Sequence, residues 1–218
     1  FRCDASSYES FLGFIGPDQG TLLTWHQSPL DPPNAFAHTL GAPIANAPAG
    51  EATTSSTSRA VTHLPDPTPA VRAIKKRLVK YKRADGMVLS FTLYTPPGYQ
   101  EGQRIPAVLY AYPLDYADPS KAGQVTGSEK MFTRLRLYKL LLLAGYAVID
   151  GASFPIVGDP KRAYDTYIEQ LVADAKAAVN KAVELGVVDP QRIGVTGHSH
   201  GALMTVNLLA HSDLFRAG

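Results

Sequence analysis

With 218 residues, 45% of them hydrophobic, and 21 basic against 19 acidic side chains for a formal charge of +2, the chain has the make-up of an ordinary globular protein. This balance excludes a wholly disordered chain and gives no concentrated basic face, so no nucleic-acid partner is expected. The single cysteine, Cys3, closes no intrachain disulfide and is compatible with either redox compartment, and the longest apolar stretch, residues 140–149, is half of the roughly 20 residues a membrane-spanning helix needs, so no membrane partner is expected.

Residues 8–15 suit a strand, Gly16-Pro17-Asp18-Gln19-Gly20 supplies turn chemistry, and residues 21–26 resume the extended pattern, which predicts a hairpin. A third strand over 35–40 continues an antiparallel meander, the unit from which propeller blades are built, with Trp25 expected to pack between sheets. Between Gly41 and Ala60, sixteen of twenty residues are Ala, Gly, Pro, Ser or Thr, too little bulk to pack, and residues 41–60 read as a flexible surface insertion. The run Pro65-Asp66-Pro67-Thr68-Pro69 stiffens the path and the composition changes beyond it, placing a domain boundary near residue 68.

Two strands, 74–82 and 87–94, follow, joined by Arg83-Ala84-Asp85-Gly86, whose Asp-Gly pair favours a tight hairpin. Buried strands over 107–112 and 146–149 flank a helix expected over 131–144. Tyr164, Tyr167, Ile168, Leu171, Val172, Ala175, Ala178, Val179 and Ala182 recur at three and four, the stripe of a long amphipathic helix that Gly186 can end. Alternating strand and helix, with continuous apolar strands, gives the expected fold class. Residues 69–218 are expected to form a doubly wound, mostly parallel sheet with an antiparallel hairpin at its front edge, the N-terminal part of an α/β-hydrolase domain, preceded over residues 1–68 by the antiparallel meander.

The most informative residues are Gly197-His198-Ser199-His200-Gly201, between a strand pattern at 192–196 and a helix pattern beginning at Ala202. Together they have the form of a nucleophile elbow, in which a strand turns sharply into a helix, glycines let the chain pass, and the serine stands exposed at the apex. A serine hydroxyl needs a histidine to take its proton and an acid to orient that histidine. His198 and His200 flank the bend and diverge from it, and His211 lies twelve residues along the helix, about 18 Å away at 1.5 Å per residue. The order serine, acid, histidine of such hydrolases puts both missing members beyond residue 218, so the remainder of the same polypeptide is the expected partner and the piece alone is expected to be inert. One oxyanion donor is the backbone N–H of His200; the second is expected from the loop after the 107–112 strand, where Tyr110 and Tyr112 reach the active-site edge. His198 and His200 find no third ligand at suitable spacing, so neither metal nor cofactor is expected.

These residues resemble the prolyl oligopeptidase family of serine peptidases, and within it the glutamyl endopeptidase branch. The resemblance rests on Trp25-His26 with Pro32-Pro33-Asn34, on Tyr81 to Gly86, on Tyr112-Pro113 with Ala122-Gly123-Gln124-Val125 and Gly127-Ser128, on Glu169-Gln170-Leu171-Val172, and on Gly197 to Ala202 with Asn207 to His211. It implies a β-propeller capping the hydrolase domain, with residues 1–68 as its last antiparallel strands, acylation of Ser199 by a peptide carbonyl, and a tyrosine hydroxyl in the oxyanion hole. Tyr110 matches that tyrosine by position, while Tyr112 is the better-kept residue in the glutamyl branch; His200 stands where the family commonly has tyrosine. Cleavage after glutamate requires a cation, and Arg162, beside Lys161 in a loop on the ligand-binding edge of the sheet, is the candidate substrate-binding residue. Two other readings stand beside this one: a carboxylesterase-like acyl hydrolase on the same fold, against which the meander before residue 68 argues, and a non-catalytic fragment.

Overall fold

A computed structural model describes residues 6–17, 20–43, 54–123, 125, 127–159 and 161–218. Cys3, the turn residues Asp18 and Gln19, residues 44–53 of the small-residue segment, and Gln124 lie outside the described residues. The chain divides into two compact units, Phe1–Arg72 with Lys130–Arg134, and Ala73–Glu129 with Leu135–Gly218.

The first unit is built on a four-stranded antiparallel sheet of β1 (Tyr8–Ile15), β2 (Thr21–Gln27), β3 (Asn34–Pro43) and β4 (Thr54–Ala60), paired in sequence order. Residues 54–60, expected as part of an insertion, instead pair with β3 from Phe36↔Ala60 to Pro43↔Thr54. Strand pairing is carried by the backbone and needs no bulk, and the Thr and Ser of β4 tolerate extended geometry well. Leu22, Thr24, Ala37 and His38 are buried, and Thr24 Oγ1 lies 2.8 Å from His38 Nε2; Trp25 is only half-buried.

Lys130–Arg134 belongs to this first unit. The Phe132 N–H donates to Gln27 Oε1 at 2.9 Å, the Arg72 guanidinium lies 3.9 Å over the Phe132 ring, and Arg72 donates to the Thr133 carbonyl at 3.2 Å. These contacts use backbone groups that a helix would need, which corrects the helix expected over 131–144 to a 3₁₀ segment, Leu137–Ala144. It stops at Gly145, whose φ of 86° is left-handed.

The second unit opens with the predicted hairpin, β5 (Lys75–Lys82) and β6 (Val88–Thr95), turned through Gly86 at φ 89°. β7 (Ile105–Ala111), the short β8 (Leu114–Tyr116), β9 (Ala147–Ala152) and the short β10 (Pro155–Val157) follow. Next come α1 (Tyr167–Glu184), β11 (Val188–Thr196) and α2 (His200–His211). The main sheet runs β11-β7-β9-β6-β5, parallel from β11 to β9 and antiparallel across the β6–β5 edge; β8 and β10 form a separate parallel pair.

From β7 the chain crosses to its neighbour β9, then returns past β7 to β11. Because parallel crossovers are right-handed, this reversal places the two connections on opposite faces, and the sheet is doubly wound. α1 and α2 pack against each other, and Phe91, Leu109, Ile149, Leu171, Met204 and Leu208 share one core cluster. Each such side chain contributes about 1.5–3 kcal/mol on burial. The small residues Ala175, Ala178 and Ala182 of α1 belong to the same cluster, and the helix ends at Gly186 with φ 75°. The reversal also creates a switch point between β7 and β11, where ligands enter open α/β sheets at the carboxyl ends of the strands.

Candidate active site

β11 ends at Thr196 and α2 begins at His200, so the chain reverses within three residues. Ser199 sits in that bend at φ 55°, ψ −119°, and is the one non-glycine residue with positive φ among the described residues. Holding a serine there costs about 1–3 kcal/mol and persists only where the surroundings enforce it. They do so through glycine. A Cβ on Gly197 would drive into the Gly201 backbone, 2.6 Å from its Cα, and one on Gly201 would stand 2.7 Å from the Ala111 carbonyl at the end of β7. The missing side chains let β11, α2 and β7 close on one another at the switch point.

Ser199 is exposed, and among the described residues its Oγ has no hydrogen-bond partner. Its carbonyl accepts from Ala202 N–H at 2.8 Å, and the His198 carbonyl accepts from Gly201 N–H at 2.8 Å. The N–H of His200, first in α2, has no carbonyl within the helix to meet and stays available to a developing negative charge beside the serine. It is the N–H singled out from the sequence as a candidate donor. His198 is exposed, and His211 stands at the far end of α2.

The two candidate tyrosines fall into different surroundings. Tyr110, in β7 opposite Thr196 and Asp150, stacks flat on Tyr138 with centroids 4.0 Å apart and planes 6° from parallel. Tyr138 donates to Asp150 Oδ1 at 2.7 Å, Lys139 Nζ lies 2.7 Å from Asp150 Oδ2, and burial with the neighbouring carboxylate pushes the Tyr138 phenol well above its ordinary range. Tyr112, one residue past β7 and 43% exposed, stands edge-on to the His200 ring at 5.9 Å and 84°. The structure thus sets Tyr112 against the ring of His200, the residue after Ser199, and Tyr110 in a neighbouring aromatic stack.

Two residues that sequence reasoning assigned only to a helix stripe also reach the site. The Tyr167 ring lies parallel to the His200 imidazole, 5.6 Å and 12° away, with its hydroxyl 3.1 Å from Nε2; the Tyr164 hydroxyl is 3.5 Å from the same nitrogen. Burial pushes the Tyr167 phenol up to about 12. Their periodicity marked them as core, and only the departure of position 200 from tyrosine hinted at new neighbours. Arg162 is 77% exposed and its Nε lies 2.9 Å from Asp165 Oδ2, in an open loop before α1. A cavity of about 190 Å³ adjoins Tyr112, lined also by Tyr110, Leu114, Tyr116 and Phe154. Among the described residues no group of three potential metal ligands gathers, and no helix is long and apolar enough to cross a membrane.

Comparison with known proteins bears out the resemblance. Residues 161–218 match the prolyl oligopeptidase family. The chain is 41% identical over 164 residues to the protein described as a probable glutamyl endopeptidase, chloroplastic, of Arabidopsis thaliana, a match covering 72% of this chain and 17% of that one. The chain therefore spans less than a fifth of the length of the curated relative it matches. An AtxE2 isopeptidase variant with Astexin3-dC4 bound superposes with a TM-score of 0.61 at 20% identity, over 98% of this chain and 31% of the other. Pyrococcus horikoshii acylaminoacyl peptidase does so at 0.57 and 18%, over 99% and 31%. At those identities the solved structures speak for the fold.

Proposed function

We propose that this relative of the prolyl oligopeptidase family carries the nucleophile of a serine peptidase. The observation that carries the reading is the strained turn at Ser199, held by Gly197 and Gly201 at the switch point of the sheet. In the proposed step Ser199 Oγ attacks a peptide carbonyl carbon while its proton passes to a histidine. The tetrahedral oxyanion is held by the His200 N–H and a tyrosine hydroxyl, and the C–N bond breaks as the amine leaves with that proton. Water then hydrolyses the acyl-serine by the same route.

The hydroxyl is assigned to Tyr112, on the support of its contact with the His200 ring. The triad acid and histidine are assigned to the remainder of the polypeptide, and residues 1–218 alone should turn over substrate at background rate. The alternative of a simple acyl hydrolase is separated by assaying the whole protein on a peptide amide and on a simple ester. Hydrolysis of both is expected, and turnover of the ester alone contradicts the peptidase assignment. Arg162 is proposed as the cation for an acidic substrate side chain, in competition with Asp165. Arg162→Glu should lower turnover of glutamate peptides relative to apolar ones; an unchanged ratio contradicts the role.

A further inference from the structure

We infer that Tyr167 is a positioning residue that holds the Tyr112 hydroxyl in the oxyanion hole through the side chain of His200. The inference rests on the assignment of Ser199 as nucleophile and Tyr112 as donor. It starts from a closed ring of contacts around the elbow. Tyr112 leads directly into β8, which pairs with β10 through Leu114↔Pro155, Ile156↔Asp115 and Val157↔Tyr116. β10 is tied to α1 by Gln170, whose Oε1 accepts from the Val157 N–H at 2.8 Å and whose Nε2 donates to the Val157 carbonyl at 2.9 Å. The same Nε2 donates to Thr166 Oγ1 at 2.9 Å, fixing the first turn of α1 from which Tyr167 projects. Tyr167 meets His200, and the edge-on contact of His200 with Tyr112 closes the ring.

The parts of this ring have different stiffness. The His200 N–H is set by the helix backbone and needs no further support. The Tyr112 hydroxyl sits at the end of two rotatable bonds on a residue 43% exposed, so its aim depends on what its ring touches. The touching surface is an imidazole that could itself rotate were it not stacked on Tyr167, which is 4% exposed, and hydrogen-bonded to its hydroxyl. With its proton on Nδ1, the imidazole accepts at Nε2 from the Tyr167 O–H, and a phenol that titrates near 12 keeps that proton at any working pH. Tyr164, 58% exposed and 3.5 Å from Nε2, is the weaker arm. Preorganisation of donors is where oxyanion stabilisation originates, and a donor left free to swing loses much of its value.

The test is Tyr167→Phe in the whole protein, which keeps the stacked ring and removes the hydrogen bond. Expected are a roughly tenfold fall in kcat with KM unchanged, a parallel loss of affinity for a peptide boronate that mimics the tetrahedral state, and a thermal midpoint lowered by no more than about 2–4 °C. In a Tyr112→Phe background the same change should cost less than about twofold, since its effect passes through the removed hydroxyl. Equal losses in both backgrounds, a loss confined to KM, or unchanged kcat and boronate affinity would each overturn the inference. Turnover that survives Ser199→Ala, or a kcat unmoved by Tyr112→Phe alone, would instead strike the underlying assignment.

Discussion

Ser199 and its two glycines state at residue scale why the motif was legible: the requirement is local and steric. A strand can enter a helix this sharply only if nothing projects from Gly197 or Gly201, and that constraint is written within five residues. Gly201→Ala should displace the start of α2 from the Ala111 carbonyl, which a Cβ would approach to 2.7 Å. It should destabilise by about 1–3 kcal/mol and abolish labelling of Ser199 by a fluorophosphonate; wild-type labelling and stability would contradict the steric account. The choice between Tyr110 and Tyr112 was not legible, because both lie near the end of one strand with the same parity. What separates them is the partner each meets, Tyr138 or His200, far along the chain. Tyr112→Phe should therefore reduce kcat by about 10²–10³ and Tyr110→Phe much less. Steady-state kinetics on the whole protein with a peptide amide check this, and the reverse order contradicts it.

Among the elements, the β5–β6 hairpin was readable from Asp85-Gly86, yet nothing in the local pattern showed that its turn also anchors α1. Arg83, 8% exposed, donates from Nη1 to Asp174 Oδ1 at 2.7 Å and from Nε and Nη2 to Asp85. Asp174 is fully buried, and burial pushes its carboxyl up to about 7 although Arg83 pulls the other way. Arg83→Ala leaves that group without its partner and should cost about 3–5 kcal/mol in urea unfolding; a loss below about 1 kcal/mol contradicts the anchor. A raised folded-state value means the protonated carboxyl favours the fold. Its contribution is complete below the unfolded value near 4 and is lost as pH rises through about 7. Asp174→Asn should flatten the decline of thermal midpoint between about pH 4 and 7; a decline parallel to wild type contradicts this sign. The three-residue strands β8 and β10 escaped prediction for a common reason. Their backbone partners lie far away in sequence, and no periodicity develops over so few residues.

For the whole molecule, alternation of strands and helices was enough to announce a doubly wound sheet, while the strand order β11-β7-β9-β6-β5 had to be seen in three dimensions. That order creates the switch point, where the five-residue pattern presents an exposed serine and a helix-terminal N–H, with the Tyr112 ring against His200. Residues 54–60 depart from the expected insertion because composition reports packing bulk and says nothing of backbone pairing, which β4 uses. The proposed mechanism takes its acid and histidine from outside residues 1–218, so its test uses the whole protein. The most direct measurement is treatment with a fluorophosphonate followed by peptide mass spectrometry, alongside peptide-amide turnover of wild type and Ser199→Ala. One adduct per chain is expected, on Ser199, with adduct and turnover both lost in Ser199→Ala. An adduct on another residue, or peptide hydrolysis that persists without Ser199, would contradict it.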